Sequence, residues 1–331
     1  MRFAVIGLGA VGTAVGGLLS NYEKDVVLIG KKPQVEKINK NGIEIYLKRD
    51  KIKVHNPVVS SNLETLEDID VVFICVKSQD TEKLAKDLKK NIGKKTIIVS
   101  LQNGVRNKDF LKRHLKNEVL LSVVLFNVLY LEPGKVKITM PGCLYLQKTK
   151  KSSRKISEKL NQAGLKTKTV DNIKGYLWSK LIFNVQNAVT ALTGQTLRDS
   201  FINRDSKKII IEILNESLDI ADNTDIETKK LPRFDPKKLI FKLRFLNSFL
   251  LKIGISLIGL NQNAKNSMQQ SLLRNKKTEI DYINGEIVRL AEKNNLHAPL
   301  NYKLVELVKK VEEDKSYKKI NPKKLRGILD L

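Results

Sequence analysis

Lys180, Asn184 and Asn187 stand in the segment Leu177–Asn187, four and then three residues apart, among Leu181, Ile182 and Phe183. On a continuous helix that spacing puts all three polar groups on one face. A lysine partly withdrawn from water has a lowered pKa and can deliver a proton as a general acid, with the two amides orienting whatever receives it. The residues alone accommodate a solvated polar stripe equally well. Farther along, Glu279 and Asp281 lie in Lys277–Gly285 and point differently on a helix. Ser267 precedes Glu279 by twelve residues, a little over three helical turns, and so falls on roughly its face. Glu279 could hold Lys180 charged and accept a substrate hydroxyl. By itself, a helical salt bridge to Lys276 or Lys277 is the simpler reading. Trp178 reads as a core anchor, and Gly285 as a point of close helix packing. Cys75 and Cys143 exclude a disulfide framework and a cysteine-rich metal site, and His55, His114 and His297 are too scattered for a zinc motif. No metal is expected.

A second group sits at the start of the chain. Gly7-Leu8-Gly9-Ala10-Val11-Gly12 fits G-x-G-x-x-G, directly after an apolar strand pattern and opening a helical one. Gly7 permits the tight turn, Gly9 lets a pyrophosphate approach the main chain, and Gly12 lets the helix pack on the strand. The helix start offers unpaired N–H groups and the positive end of its dipole. The next strand pattern ends at Ile29-Gly30 and is followed by Lys31-Lys32, where an NAD-selective domain carries an acid for the ribose hydroxyls. Lysines there suit a 2′-phosphate, so NADPH is the expected cofactor; a solvated basic loop is the plainer alternative. Lys77 and Asn103 follow two further strand patterns, Val71–Val76 and Thr96–Leu101, and so face the same ligand region. Lys77 offers a charge and Asn103 an amide for nicotinamide or substrate, though each also suits a simple turn.

Positioning these groups requires two kinds of architecture. Phe3–Ile6, Val26–Ile29, Val71–Val76, Thr96–Leu101 and Leu120–Leu125 read as strands covered on both faces, hence as a parallel sheet with helices such as Asp80–Asn91. Leu129–Gln147, with Pro133-Gly134 and Pro141-Gly142, reads as antiparallel strands at a sheet edge. From Tyr176 onward the periodicity is helical over Trp178–Leu192, Ser206–Asn223, Pro236–Leu251, Lys265–Asn294 and Pro299–Asp314. Leu246–Leu260 is apolar but broken by Lys252 and two glycines, and reads as a buried helix or helix pair. The expectation is a Rossmann-type α/β domain over 1–170 for the dinucleotide and an all-α domain over 171–331 for substrate and catalysis. Lys315–Leu331 reads as a solvated basic tail.

The chain has 331 residues, with 61 Lys and Arg against 35 Asp and Glu, a net charge of +26. That charge attracts a phosphorylated cofactor, a carboxylate substrate or nucleic acid alike. A nucleotide-sensing or nucleic-acid-binding role lacks an aromatic platform and any helix-turn-helix or finger spacing, so no nucleic-acid partner is expected. The glycines among residues 3–19 argue against a targeting segment, and no stretch reaches the ~20 apolar residues of a membrane span. A cytoplasmic protein without membrane contact is expected, as monomer or homodimer.

The Gly7–Gly12 motif, the Asn103-Gly104 turn, the Trp178-Ser179-Lys180-Leu181 helix and the Lys277–Gly285 segment together resemble the ketopantoate reductase family, in order and in approximate spacing over most of the chain. The resemblance implies a Rossmann domain joined to a helical domain like the carboxyl-terminal domain of 6-phosphogluconate dehydrogenase, with the active site between them. It also implies NADPH-dependent reduction of 2-dehydropantoate to (R)-pantoate, toward pantothenate and coenzyme A. Lys180 matches the family's general acid, and Glu279 the acid contacting lysine and substrate hydroxyl. Asn103 and Asn184 match positioning amides, Ser267 a serine for the substrate carboxylate, and Lys31 an arginine for the 2′-phosphate. Three features depart from the pattern. The second asparagine, Asn187, comes three rather than four residues after Asn184, with Ala188 where proline follows. The asparagine for the substrate's terminal hydroxyl has no clear counterpart near Thr193, Gly194 and Gln195. Lys229–Asn266 is longer than expected. All three fall on substrate recognition, so a relative acting on a different 2-keto acid or ketone is the alternative.

Overall fold

A computed structural model describes residues 1–232, 235–246, 250–251, 265–314 and 318–331. The chain divides into two compact units, Met1–Ile173 and Lys174–Leu331.

The first unit is built on an eight-stranded sheet. Its strands are β1 (Phe3–Ile6), β2 (Val26–Ile29), β5 (Val58–Ser60), β6 (Val71–Ile74), β7 (Ile97–Ser100), β8 (Val119–Val124), β11 (Leu144–Gln147) and β12 (Thr167–Val170), in the order β12-β11-β8-β7-β6-β1-β2-β5. All pairings are parallel except β11 with β8. The five strands read from sequence are present. They read as unbroken apolar runs because both faces are buried: Phe3 and Val5 enter one core with Leu28, Phe73 and Val99, while Ala4 and Ile6 enter the other with Val72, Ile74 and Ile98. The helices α1 (Ala10–Tyr22), α2 (Lys32–Asn41), α3 (Thr81–Leu88), α4 (Asn107–His114) and α5 (Ser153–Gln162) complete the unit.

The edge strands read over Leu129–Gln147 divide between two sheets. β9 (Asn127–Glu132) and β10 (Lys135–Met140) form an antiparallel pair in a second sheet, β4-β3-β10-β9, with β3 (Ile43–Tyr46) and β4 (Lys51–Val54), whereas β11 joins the main sheet. In the main sheet the chain runs outward from β1 to β2 and β5, then returns to β6 and runs outward the other way. The reversal between β1 and β6 is the topological switch point at which such sheets bind ligands.

The second unit is helical in its described residues: α6 (Ile173–Asn184), α7 (Asn187–Thr193), α8 (Leu197–Ile202), α9 (Arg204–Asp222), α10 (Pro236–Phe245), α11 (Ser267–Leu273), α12 (Asn284–Lys293), α13 (Pro299–Glu313) and α14 (Pro322–Ile328). Four expectations are corrected here. The single helix expected over Trp178–Leu192 breaks at Val185-Gln186, because the Val185 carbonyl accepts from the Asn284 amide at 3.0 Å. The helix expected over Lys265–Asn294 stops at Leu273. Asn275 adopts φ 50°, and the Lys276 and Asn275 N–H groups bond back to Ser271 (2.9 Å) and Leu272 (3.0 Å), a Schellman ending. Ser267 and Glu279 therefore do not share the face of one helix. The basic tail is docked, not loose: Leu325 and Leu329 are fully buried, Arg326 pairs with Asp205 at 2.6 Å, and the Ile320 N–H reaches the Leu192 carbonyl. α10 ends at Phe245 rather than Leu251, and most of the Leu246–Leu260 reading lies outside the described residues. Among the described residues no helix is long and apolar enough to cross a membrane.

Candidate active site

The glycine turn opens at the end of β1, where the Gly7 N–H donates to the Ile29 carbonyl at 2.9 Å. Gly7 has φ +98°, and a Cβ there would fall 2.8 Å from the Val76 nitrogen; at Gly12 it would fall 2.0 Å from the Gly7 oxygen and 3.0 Å from the Cys75 Cβ. Both positions exclude a side chain, one by conformation and contact, the other because α1 lies against the turn and the end of β6. At Gly9 a Cβ would meet nothing within 4 Å. Packing therefore does not require glycine at this position. The bare main chain faces open space at the start of a 13-residue helix with no acid in its first turn. This is the cradle expected for a pyrophosphate, with Leu8 buried beneath it and Ala10 and Val11 beginning the helix.

Lys31 and Lys32 are exposed at the start of α2. Their loop is tied to the glycine turn by Gln34, a residue that motif reading did not single out. Its Oε1 accepts from the Lys31 N–H at 3.1 Å, and its Nε2 donates to the Leu8 carbonyl at 2.7 Å. One carboxamide thus fixes the distance between the turn and the basic loop. The sequence signal was a glutamine at the third helical position, half of a capping box.

Lys77 and Asn103 follow β6 and β7, and both are half-buried. Their loops are cross-linked. The Asn103 carbonyl accepts from Ser78 Oγ (2.8 Å) and from Asn107 Nδ2 (2.5 Å), while Gln102 Nε2 donates to the Val76 carbonyl (3.0 Å) and to Thr81 Oγ1 (2.6 Å). Ser100 Oγ donates to Gln102 Oε1 at 3.0 Å, and Thr81 Oγ1 to Asn107 Oδ1 at 3.2 Å. Gln102, Thr81 and Asn107 are buried, and their amide and hydroxyl demands are met by these loops. The backbone at both candidate residues is thereby held in place.

In the second unit Lys180 lies in the last turns of α6. Burial lowers its pKa from the usual lysine value to about 8, against the opposing pull of the Glu279 carboxylate. Such an amine exchanges its proton near neutral pH. Glu279 is half-buried, immediately before a single 3-10 turn, Ile280–Tyr282. The preceding Thr278 is held by its N–H to Glu312 at 2.7 Å.

Asn184 closes α6. Asn187 begins α7 and is buried, its Oδ1 accepting from Gln186 Nε2 at 2.8 Å. The break between them is held from far along the chain. Asn284 donates both to the Val185 carbonyl and to Asn301 Oδ1 (2.9 Å), and Asn301 in turn donates through Nδ2 to Glu216 Oε1 at 2.8 Å. Glu216 also accepts the Leu300 and Asn301 N–H groups at the start of α13, both at 2.9 Å, a charge-assisted cap. Ser267 is the exposed first residue of α11, and the neighbouring Asn266 ties that helix to α7 by donating to the Asn187 carbonyl at 3.2 Å and to Thr190 Oγ1.

Within the first unit, then, the glycine turn, Lys31, Lys77 and Asn103 lie on loops at the carboxyl ends of parallel strands. Within the second, Glu279 acts on Lys180, and Ser267 and Asn187 lie on helices pinned together. Comparison with known proteins gives the family. The model of the family described as ketopantoate reductase PanE/ApbA matches residues 3–151, and the model of its C-terminal domain matches residues 172–312. The chain belongs to the ketopantoate reductase family. It is accordingly a nicotinamide-dependent oxidoreductase. It is 31% identical over 321 residues to the 2-dehydropantoate 2-reductase of Pyrococcus horikoshii, covering 94% of this chain and 98% of that one. It is 26% identical to the 2-dehydropantoate 2-reductase of Lactococcus lactis, over 95% and 98% of the two chains. The crystal structure of a PanE/ApbA family ketopantoate reductase from Ralstonia eutropha superposes with a TM-score of 0.83 at 28% identity, over 95% of this chain and 99% of that one. A D-mandelate dehydrogenase solved with NADH shares the fold, with a TM-score of 0.79 at 24% identity over 96% of this chain and 100% of that one.

Proposed function

We propose that the protein reduces 2-dehydropantoate to (R)-pantoate with NADPH, in the cytoplasm, as a step toward pantothenate and coenzyme A. The observation that carries the chemical part of this reading is the lysine of α6, whose pKa lies near 8 with a carboxylate opposing its fall. When bound, the reduced nicotinamide supplies the hydride that reaches the ketone carbon. Lys180 donates the proton to the developing alkoxide, and its positive charge stabilises that oxygen as charge builds. Glu279 keeps Lys180 protonated and accepts a substrate hydroxyl. Asn103 and Asn184 orient nicotinamide, substrate or lysine, Asn187 contributes to substrate binding, and Ser267 takes the substrate carboxylate. The turn Gly7–Gly12 holds the pyrophosphate with Lys77 nearby, and Lys31 meets the 2′-phosphate. In this reading residues 1–170 hold the dinucleotide and 171–331 supply substrate binding and catalysis.

A related reading is reduction of another 2-keto acid. Asn187 favours it, because its side-chain oxygen is already engaged by Gln186 inside the unit. Steady-state NADPH oxidation over a panel of 2-keto acids tests both. The main reading expects 2-dehydropantoate to give the highest kcat/KM. A better unrelated 2-keto acid would transfer the assignment to that substrate, and no turnover with any of them would overturn both.

A further inference from the structure

Lined by none of the residues placed in the reaction, a cavity of about 460 Å³ lies along the first turns of α9 and is shared with α10 and α14. That volume lies in the range of small-molecule sites. Arg204, Lys207 and Lys208 come from α9, Arg244 from α10 and Arg326 from α14. Five of the eight described lining residues are Lys or Arg, against 61 of 331 in the chain, so composition alone does not account for the cluster.

The charges are also largely uncompensated. Asp205 is occupied by Arg326, at 2.6 Å, which fixes that guanidinium. Among the described residues Arg204, Lys207, Lys208 and Arg244 make no ion pair, and Glu212 is the acid in the lining. The amino-terminal end of the 19-residue α9 adds its partial positive charge at the same place. Like charges gathered around one cavity repel each other and do nothing for folding. Beneath them Ile211 and Leu243 are buried and make an apolar floor.

We infer that this cavity binds a small oligoanion carrying two or more linked phosphoryl groups. The four unpaired cations of α9 and α10, with the Asp205-bound Arg326 beside them, exceed what one oxyanion can contact. Each phosphoryl group brings a charge of about −1.5 to −2 and three acceptor oxygens. Arg204 and Arg244 supply planar forks for paired oxygens, and the two lysines supply point charges. The apolar floor admits a ribose or short aliphatic portion. The site is independent of the keto-acid assignment and of the glycine turn.

The test is isothermal titration of the full chain with inorganic tripolyphosphate, at two or more fixed salt concentrations, with NADPH present to fill the glycine turn. Saturable 1:1 binding that weakens with salt is expected. The double variant Lys207→Glu, Arg244→Glu should weaken it by about tenfold or more, as expected for loss of charge-assisted bonds. A charge-matched control, Lys150→Glu with Lys151→Glu on an exposed loop of the first unit, should stay within about twofold. Retained melting temperature and NADPH turnover establish that both variants are folded. Absence of binding at millimolar tripolyphosphate overturns the proposal, as does an equal loss in the two double variants, which would mark general attraction to a basic protein. Citrate or orthophosphate binding as tightly as tripolyphosphate overturns the phosphoryl assignment.

Discussion

At the scale of single residues, the proposed chemistry rests on a lysine whose charge is held in balance. Burial pulls the Lys180 pKa down and Glu279 pulls it up, leaving it near 8. An acid must be protonated to donate, so kcat/KM for ketone reduction should fall as pH rises through about 8. Glu279→Gln removes the opposing pull, so the fall should move to lower pH; a profile displaced to higher pH would contradict the balance. At the cofactor end, Lys31→Glu should weaken NADPH and leave NADH little changed, and equal loss for both cofactors would remove the 2′-phosphate role. Gln34→Ala should weaken NADPH binding by roughly threefold to tenfold with kcat nearly constant, the range of one neutral hydrogen bond. The residue types behind this proposal were visible in the sequence: the glycine spacing, the missing acid after β2, and the lysine and carboxylate at their places in the family pattern. Gln34, Gln102 and Asn107 were not, because an amide that supports a loop leaves no periodic trace.

At the scale of elements, legibility followed burial. Strands covered on both faces, such as β1 and β6, were visible as apolar runs. The short mixed strands β4 (Lys-Ile-Lys-Val) and β12 (Thr-Lys-Thr-Val) were not, since half their residues face water. Helix continuity failed where distant or single-residue effects decide it. The break after Asn184 depends on Asn284, 99 residues beyond Val185. Asn284→Ala should lower unfolding free energy by about 1–3 kcal/mol in urea titrations, because it leaves the buried Asn301 acceptor without its donor. Asn284→Asp should cost more, since it sets a carboxylate against the Val185 carbonyl. The end of α11 depends on the left-handed Asn275. Asn275→Val should cost about 1–2 kcal/mol there while Asn275→Gly costs nothing or stabilises; equal effects would deny the helix ending its conformational cause.

At the scale of the whole molecule, composition was a poor guide and docking a better one. A net charge of +26 pointed to anions without saying which. It also made the carboxyl-terminal segment look solvated, although its leucines are buried against the second unit. Truncation after Asp314 removes Leu325 and Leu329 and should destabilise that unit by roughly 3–6 kcal/mol, the worth of two buried leucines, as read by a lower melting temperature. An unchanged melting curve would restore the solvated tail. Family membership accounts for the pairing of an α/β unit with a helical one.

The central claim is that Lys180 gives its proton to the reduced ketone. Single-turnover NADPH oxidation with 2-dehydropantoate, run on Lys180→Ala beside the unaltered protein, tests it most directly. The account predicts a loss of about 10²–10³ in the rate of that step with NADPH affinity unchanged. A variant that turns over at nearly the normal rate would contradict it.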